Sequence, residues 1–194
     1  MKYFEIFDLP PKLGIDLGAL ERRFYELSRQ HHPDYHTTRP RQEQEDALRT
    51  TAMLNDAYRT LRDPTGRVEY LIRSHGFVID GSKVPQALLA EVFEINEELE
   101  QVRAARGEAG PDASVLENLQ RFAEMIAIRR QAYTRELAEA ARQWDELVDR
   151  NADDGARREH LSRLADIVAQ SAYLRNLERE IEKEVSGNAE DRRN

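Results

Sequence analysis

The chain has 194 residues, 34% of them charged and 40% hydrophobic, and a formal net charge of −8. That length allows one large domain or two small ones. The longest run free of Asp, Glu, Lys and Arg is Ile167 to Leu174, eight residues, against the roughly 18 a membrane-spanning helix needs. Cysteine is absent, which removes disulfides, thiol chemistry and Cys-ligated metal. The N-terminus MKYFEIFDLP has no apolar run of signal-peptide length, so a bacterial-type cytoplasm is the expected location. Residues 1–76 carry 12 basic and 12 acidic side chains, which leaves the whole of the −8 in the remainder. No basic footprint for nucleic acid is present. The acidic half suits a basic partner, or simply solubility.

Helical spacing recurs along the chain and no strand pattern stands out. Tyr3, Phe4 and Phe7 belong to a short helix that ends at Leu9-Pro10-Pro11. Asp16 or a neighbour caps a second helix with Leu20, Phe24 and Leu27 on one face, which must stop near His32 because Pro33 disfavours helical geometry before it. A third helix is predicted over about 41–61, with Ala47, Leu54, Tyr58 and Leu61 inward, and Asp63-Pro64 breaks it and opens a fourth carrying Val68, Leu71 and Ile72. Residues 77–84 read as a linker. Helical patterning resumes at Pro85 and fades near Arg106, and GEAGP makes a second break. A long helix follows over about 113–150, with the stripe Leu116, Leu119, Phe122, Ile126, Tyr133, Leu137, Ala141, Trp144 and Val148. After the turn NADDG the last helix carries Leu161, Leu164, Val168, Leu174, Leu177, Ile181 and Val185. The tail 187–194 is expected to fray. Short breaks between long amphipathic helices favour antiparallel packing. The expected fold is all-α: four helices in 1–76 joined to an antiparallel three-helix bundle over 85–186. Phe122, Tyr133 and Trp144 are expected in the core, and Arg129-Arg130 as a solvated pair.

The most informative triplet is His32-Pro33-Asp34. Pro33 lacks an amide proton and ends the helix, which holds Asp34 outside it, open to a partner's arginine. The triplet sits between LERRFYELSRQ and a helix bearing LNDAYRTLRDPTGRVEYL. In that context residues 1–75 resemble the J-domain of chaperone partners. YFEIFDLP, RVEYL at 67–71 and HGF at 75–77, with LLAEVFEINEELE and AYLRNLEREIEKE in the other half, are similar to the HscB type of co-chaperone, which serves iron–sulfur cluster assembly.

This resemblance implies a protein that is not itself an enzyme and needs no cofactor. It implies a J-domain that docks on an HscA/DnaK-type chaperone and stimulates its ATP hydrolysis, and a C-terminal bundle that delivers the scaffold protein IscU, promoting cluster assembly and transfer. On matching positions His32, Pro33 and Asp34 form the trigger loop, and Arg22, Arg23 and Arg29 supply docking charge. The chain departs from the common pattern at Tyr35 and His36, and its second helix carries Glu21 and Glu26 and no lysine. No cysteine-bearing N-terminal extension, often seen in eukaryotic members, is present, which favours a bacterial protein.

In residues 85–104, Leu88, Val92, Ile95, Leu99 and Val102 alternate spacings of four and three, one buried stripe. Leu89 and Phe93 lie about 100° around from stripe members and share a face with each other. Glu94, Glu97 and Gln101 frame it. Apolar residues off the core stripe suggest a partner site, while a single wide core face is the alternative. By the resemblance, Leu89, Ala90, Phe93, Glu94, Glu97 and Gln101 match scaffold-binding positions and Tyr173 matches another, all expected to be exposed. Some relatives place Met and Glu where this chain has Ala90 and Gln101. Three further readings stay open. His31, His32 and His36 are imidazoles within metal-ligating reach in sequence, although no metal site is expected. The protein is alternatively a general J-domain adaptor for another client, or a helical scaffold in which HPD is incidental.

Overall fold

The computed structural model describes residues 2–32, 34, 39–105 and 112–191. Among these, seven α-helices occur and no strand: α1 Lys2–Ile6, α2 Leu17–Gln30, α3 Arg41–Arg62, α4 Pro64–Ser74, α5 Leu89–Ala104, α6 Ala113–Asp149 and α7 Asp154–Asp191. The all-helical fold expected from periodicity is the observed one.

The helix ends follow from local chemistry. Asp16 caps α2 by accepting from the N–H groups of Gly18 and Ala19 at 2.8 and 3.1 Å. Asp63 caps α4 through Gly66 N–H at 2.6 Å, with Pro64 at the first helical position. Gly76 ends α4 with φ +82°, a left-handed conformation that glycine adopts without steric cost, and Phe77 N–H then returns to Ile72 O. Asn151 turns α6 into α7 with φ +48°.

The chain forms two compact units. One comprises Met1–Val78 and Glu139–Ala165, the other Ile79–Ala138 and Asp166–Asn194. The first therefore contains the closed end of the α6–α7 hairpin together with α1–α4. Its core holds Phe4, Leu20, Leu54, Leu61, Leu71 and Ile72, each at most 2% exposed. Phe24 stacks on Tyr58 at 4.2 Å between ring centroids, which fixes α2 against α3.

In the second unit the α5 stripe meets Val115, Leu119 and Ile126 of α6 and Leu174, Leu177 and Ile181 of α7. Side-chain pairs set the helix directions. Asn118 donates to Glu98 and Arg129 lies 4.0 Å from Glu91, so α6 runs antiparallel to α5. Arg130 pairs with Glu178, and Tyr133 Oη donates to Gln170 at 2.5 Å, so α7 runs antiparallel to α6 and parallel to α5. Gly81 packs against α7 where a Cβ would stand 2.9 Å from that of Ala172.

Several expectations need correction. The expected solvated pair Arg129-Arg130 is half-buried, and each arginine reaches a carboxylate on a neighbouring helix. Near its C-terminus α6 buries Ala140 and Leu147 rather than Ala141 and Val148; apolar residues occupy both registers there, so spacing did not choose. α7 continues to Asp191, past the expected end at 186. A glycine such as Gly187 costs a helix only about 1 kcal/mol, and no proline follows it. The last three residues of the expected tail lie outside the described residues.

Candidate functional site

The end of α2 is the first candidate. His31 N–H closes the helix on Leu27 O, and Thr51 Oγ1 of α3 donates to His31 O at 3.0 Å. The segment leaving α2 is thus tied to α3 one residue before His32. Asp34 N–H donates to His32 Nδ1 at 3.2 Å, and Asp34 Oδ2 stands 3.6 Å from the same nitrogen. The Asp34 side chain is 83% exposed. Tyr25, Ser28, Arg29, His32 and Asp34 line one shallow depression. Pro33, Tyr35 and His36 lie outside the described residues.

The three arginines of α2 differ in availability. Arg23 donates to Asp8 at 2.5 Å and to Glu26 at 3.3 Å. These bonds, that to Glu26 foremost, push its pKa further above the ordinary guanidinium value. Arg22 has a loose contact with Asp16 at 3.9 Å. Arg29, one turn from the helix end, meets no carboxylate among the described residues and lines the depression. The structure brings Arg29, His32 and Asp34 together, and it commits Arg23 to the turn after α1.

The second candidate is the outer face of α5. Leu88, Val92, Ile95, Leu99 and Val102 are at most 6% exposed, whereas Leu89 is 54% and Phe93 65% exposed. The two rows are therefore distinct, and the wide-core alternative does not hold for α5. Ala90, Glu94, Glu97 and Gln101 are exposed around them. Arg103 spans from α5 to Glu180 and Glu184 of α7, at 2.6 and 3.1 Å. In parallel helices of equal rise, ten residues back from this clamp lie Phe93 on α5 and residues 170–174 on α7. Tyr173 is thus level with Phe93. It is half-buried and packs against the core, and burial raises its phenol pKa; the expectation of an exposed Tyr173 is corrected accordingly.

Two positioning residues escaped the sequence reading. Arg67 is 6% exposed and donates to three backbone carbonyls, Leu61 O at 2.6 Å, Arg62 O at 3.4 Å, and Leu13 O; burial lowers its pKa. Asp145 accepts the N–H groups of Leu13 and Gly14 at 2.6 and 2.7 Å, and Trp144 Nε1–H donates to Pro11 O at 2.7 Å. Together they hold the loop that leads into α2. A clue to Arg67 was available: it stands four residues from Leu71 on the buried face of α4. Nothing in the sequence marks Asp145, whose partners lie more than 130 residues away.

No family model matches the chain. Among solved structures it is similar to chaperone HscB from Vibrio cholerae, with 28% identity and a TM-score of 0.53 over 94% of this chain and 96% of that one. It is also similar to human co-chaperone protein HscB, with a TM-score of 0.59 over 93% of this chain and 80% of that one; at 22% identity this second likeness speaks to the fold alone. By its all-helical architecture, its motif set and its likeness to a bacterial HscB over nearly the whole of both chains, the chain resembles an HscB-type co-chaperone.

Proposed function

We propose that the protein stimulates ATP hydrolysis by an HscA/DnaK-type chaperone through Asp34 and the depression beside it, and that it delivers an IscU-type iron–sulfur scaffold held on the outer face of α5. It is an activator of its partner's ATPase, working in the bacterial cytoplasm, and it has no catalytic residue of its own. The observation that carries this reading is the row Leu89 and Phe93, more than half exposed beside a fully buried stripe on one helix. A large apolar pair left in solvent is what a partner-binding face needs. Glu94 and Glu97, exposed at its edge, suit a basic partner surface and set orientation and association rate.

The test is the ATPase rate of an HscA-type chaperone measured with this protein alone, with IscU alone and with both. Stimulation by the protein alone and a further, more than additive rise with IscU are expected. Stimulation without any contribution from IscU would make the protein an adaptor for some other client.

A further inference from the structure

Along α6, Arg121, Met125, Ile128, Ala132 and Arg135 follow at spacings of four, three, four and three, which makes one seam on the helix surface. With Glu124 and Arg129 they line a shallow concavity of about 470 Å³. The outer part of the seam faces away from the bundle core: Ile128 is two positions, about 200°, from the buried Ile126, and it is 67% exposed, while Met125 is half-buried and packs in part against the core. Among the described residues, the arginines at the two ends are unclaimed by carboxylates. Arg121 donates to the neutral Asn118 side chain, and Arg135 meets no carboxylate among the described residues. Arg129, at the flank, reaches Glu91 only at 4.0 Å. Arg130, by contrast, is paired with Glu178.

We propose that this seam is a docking surface for an acidic amphipathic helix of a partner protein. Apolar side chains of that helix cover Met125 and Ile128, and a carboxylate at each end meets Arg121 and Arg135, 14 residues and so about 21 Å apart. Charge chooses this occupant over others. A second copy of the seam, in either direction, sets arginine against arginine. A nucleic-acid backbone carries a phosphate at every step and so sets one against Glu124 in the middle of the concavity, whereas a helix can confine its carboxylates to the two arginine ends. The site is separate from the α5 face and does not depend on the function proposed above.

The probe is a fluorescein-labelled, alanine-based helical peptide whose leucines and terminal glutamates repeat the spacing of the seam, compared with the same peptide bearing lysine for glutamate. Titrations use the full chain carrying Phe93→Ala with Glu94→Gln and Glu97→Gln, so that the acidic α5 face does not contribute. The glutamate peptide is expected to bind at least about tenfold more tightly than the lysine peptide, and Arg121→Glu with Arg135→Glu to reverse that order. Ile128→Ser is expected to weaken glutamate-peptide binding by about tenfold or more. The Ile128 methyl resonance should move on titration. Equal binding of the two peptides, no binding of either, an order unchanged by the charge reversal, or shifts that leave the Ile128 methyl untouched would each overturn the proposal.

Discussion

Asp34 and Arg23 are charged side chains of the same compact unit, and their surroundings give them opposite uses. Arg23 is held by Asp8 and Glu26, while the Asp34 carboxylate projects from a helix end with 83% of its side chain in solvent. Asp34→Asn keeps shape and removes charge at an exposed site, so stability should change by less than about 0.5 kcal/mol. Under the proposed function it should abolish stimulation of the chaperone ATPase while scaffold binding survives. Parallel ATPase, melting and binding measurements on that variant check all three. Arg29→Ala should lower chaperone affinity more than Arg23→Ala, because Arg29 is uncommitted and lines the depression that Asp34 closes; titration of each variant against the chaperone decides it. Arg67 is the contrary case. Arg67→Met fills the space but leaves three backbone carbonyls without their donor. A buried polar group left unpaired costs about 1–3 kcal/mol, so urea unfolding should show a loss of about 3 kcal/mol or more. A loss under 1 kcal/mol would mean that water replaces the guanidinium.

At the scale of elements, α5 presents a buried row and an exposed row about 100° apart. Both were readable in the sequence, because five stripe positions at alternating spacings of four and three leave Leu89 and Phe93 off the seam. Tyr173 was less readable. It adjoins the stripe member Leu174 on α7, but its depth depends on how α5 and α7 approach, which the shared core and the Arg103 clamp to Glu180 and Glu184 set. The two kinds of position should separate in mutants. Leu89→Ala with Phe93→Ala should leave the melting temperature nearly unchanged, since more than half of each residue is already in water. Under the proposed function each truncation costs scaffold binding on the order of 1–4 kcal/mol. Adding Tyr173→Ala should lower stability as well, by about 1–3 kcal/mol, because the ring packs on the core. Thermal melting and IscU titration of the double and triple variants check this; a double variant that melts several degrees lower would return Leu89 and Phe93 to the core.

At the scale of the whole molecule, periodicity gave every helix because long amphipathic faces repeat locally, and Pro33, Asp63-Pro64 and NADDG punctuate them. What periodicity does not carry is contact between segments far apart in the chain. Trp144 lies on the apolar stripe of α6 and is buried at 1%, yet its partners are Pro11, His75 and His160 within the first unit. Charged residues such as Arg67 and Asp145 read as solvated faces until their backbone partners are seen. This determines what a cut after residue 76 does. The fragment 1–76 keeps α1–α4 and the α2–α3 stack, so it should retain helical structure. It loses the Asp145 carboxylate from Leu13 and Gly14, the Trp144 indole from Pro11 and the Lys12–Asp149 pair. Leu13, 5% exposed in the full chain, lies in that loop. Two backbone donors and one carbonyl return to water, which replaces them at small net cost. The apolar surface left bare by the departure of Trp144 is not replaced, and an aromatic of this size dominates its local packing. The fragment should therefore be helical by circular dichroism but melt well below the full chain, and the loop ahead of α2 should exchange its amide hydrogens faster. In the full chain, Asp145→Asn should reproduce part of that loss, since an amide offers one acceptor where two N–H groups need them; about 1–3 kcal/mol is expected. If the fragment melts at the temperature of the full chain, the contacts of residues 139–165 with the loop are incidental to the stability of the first unit.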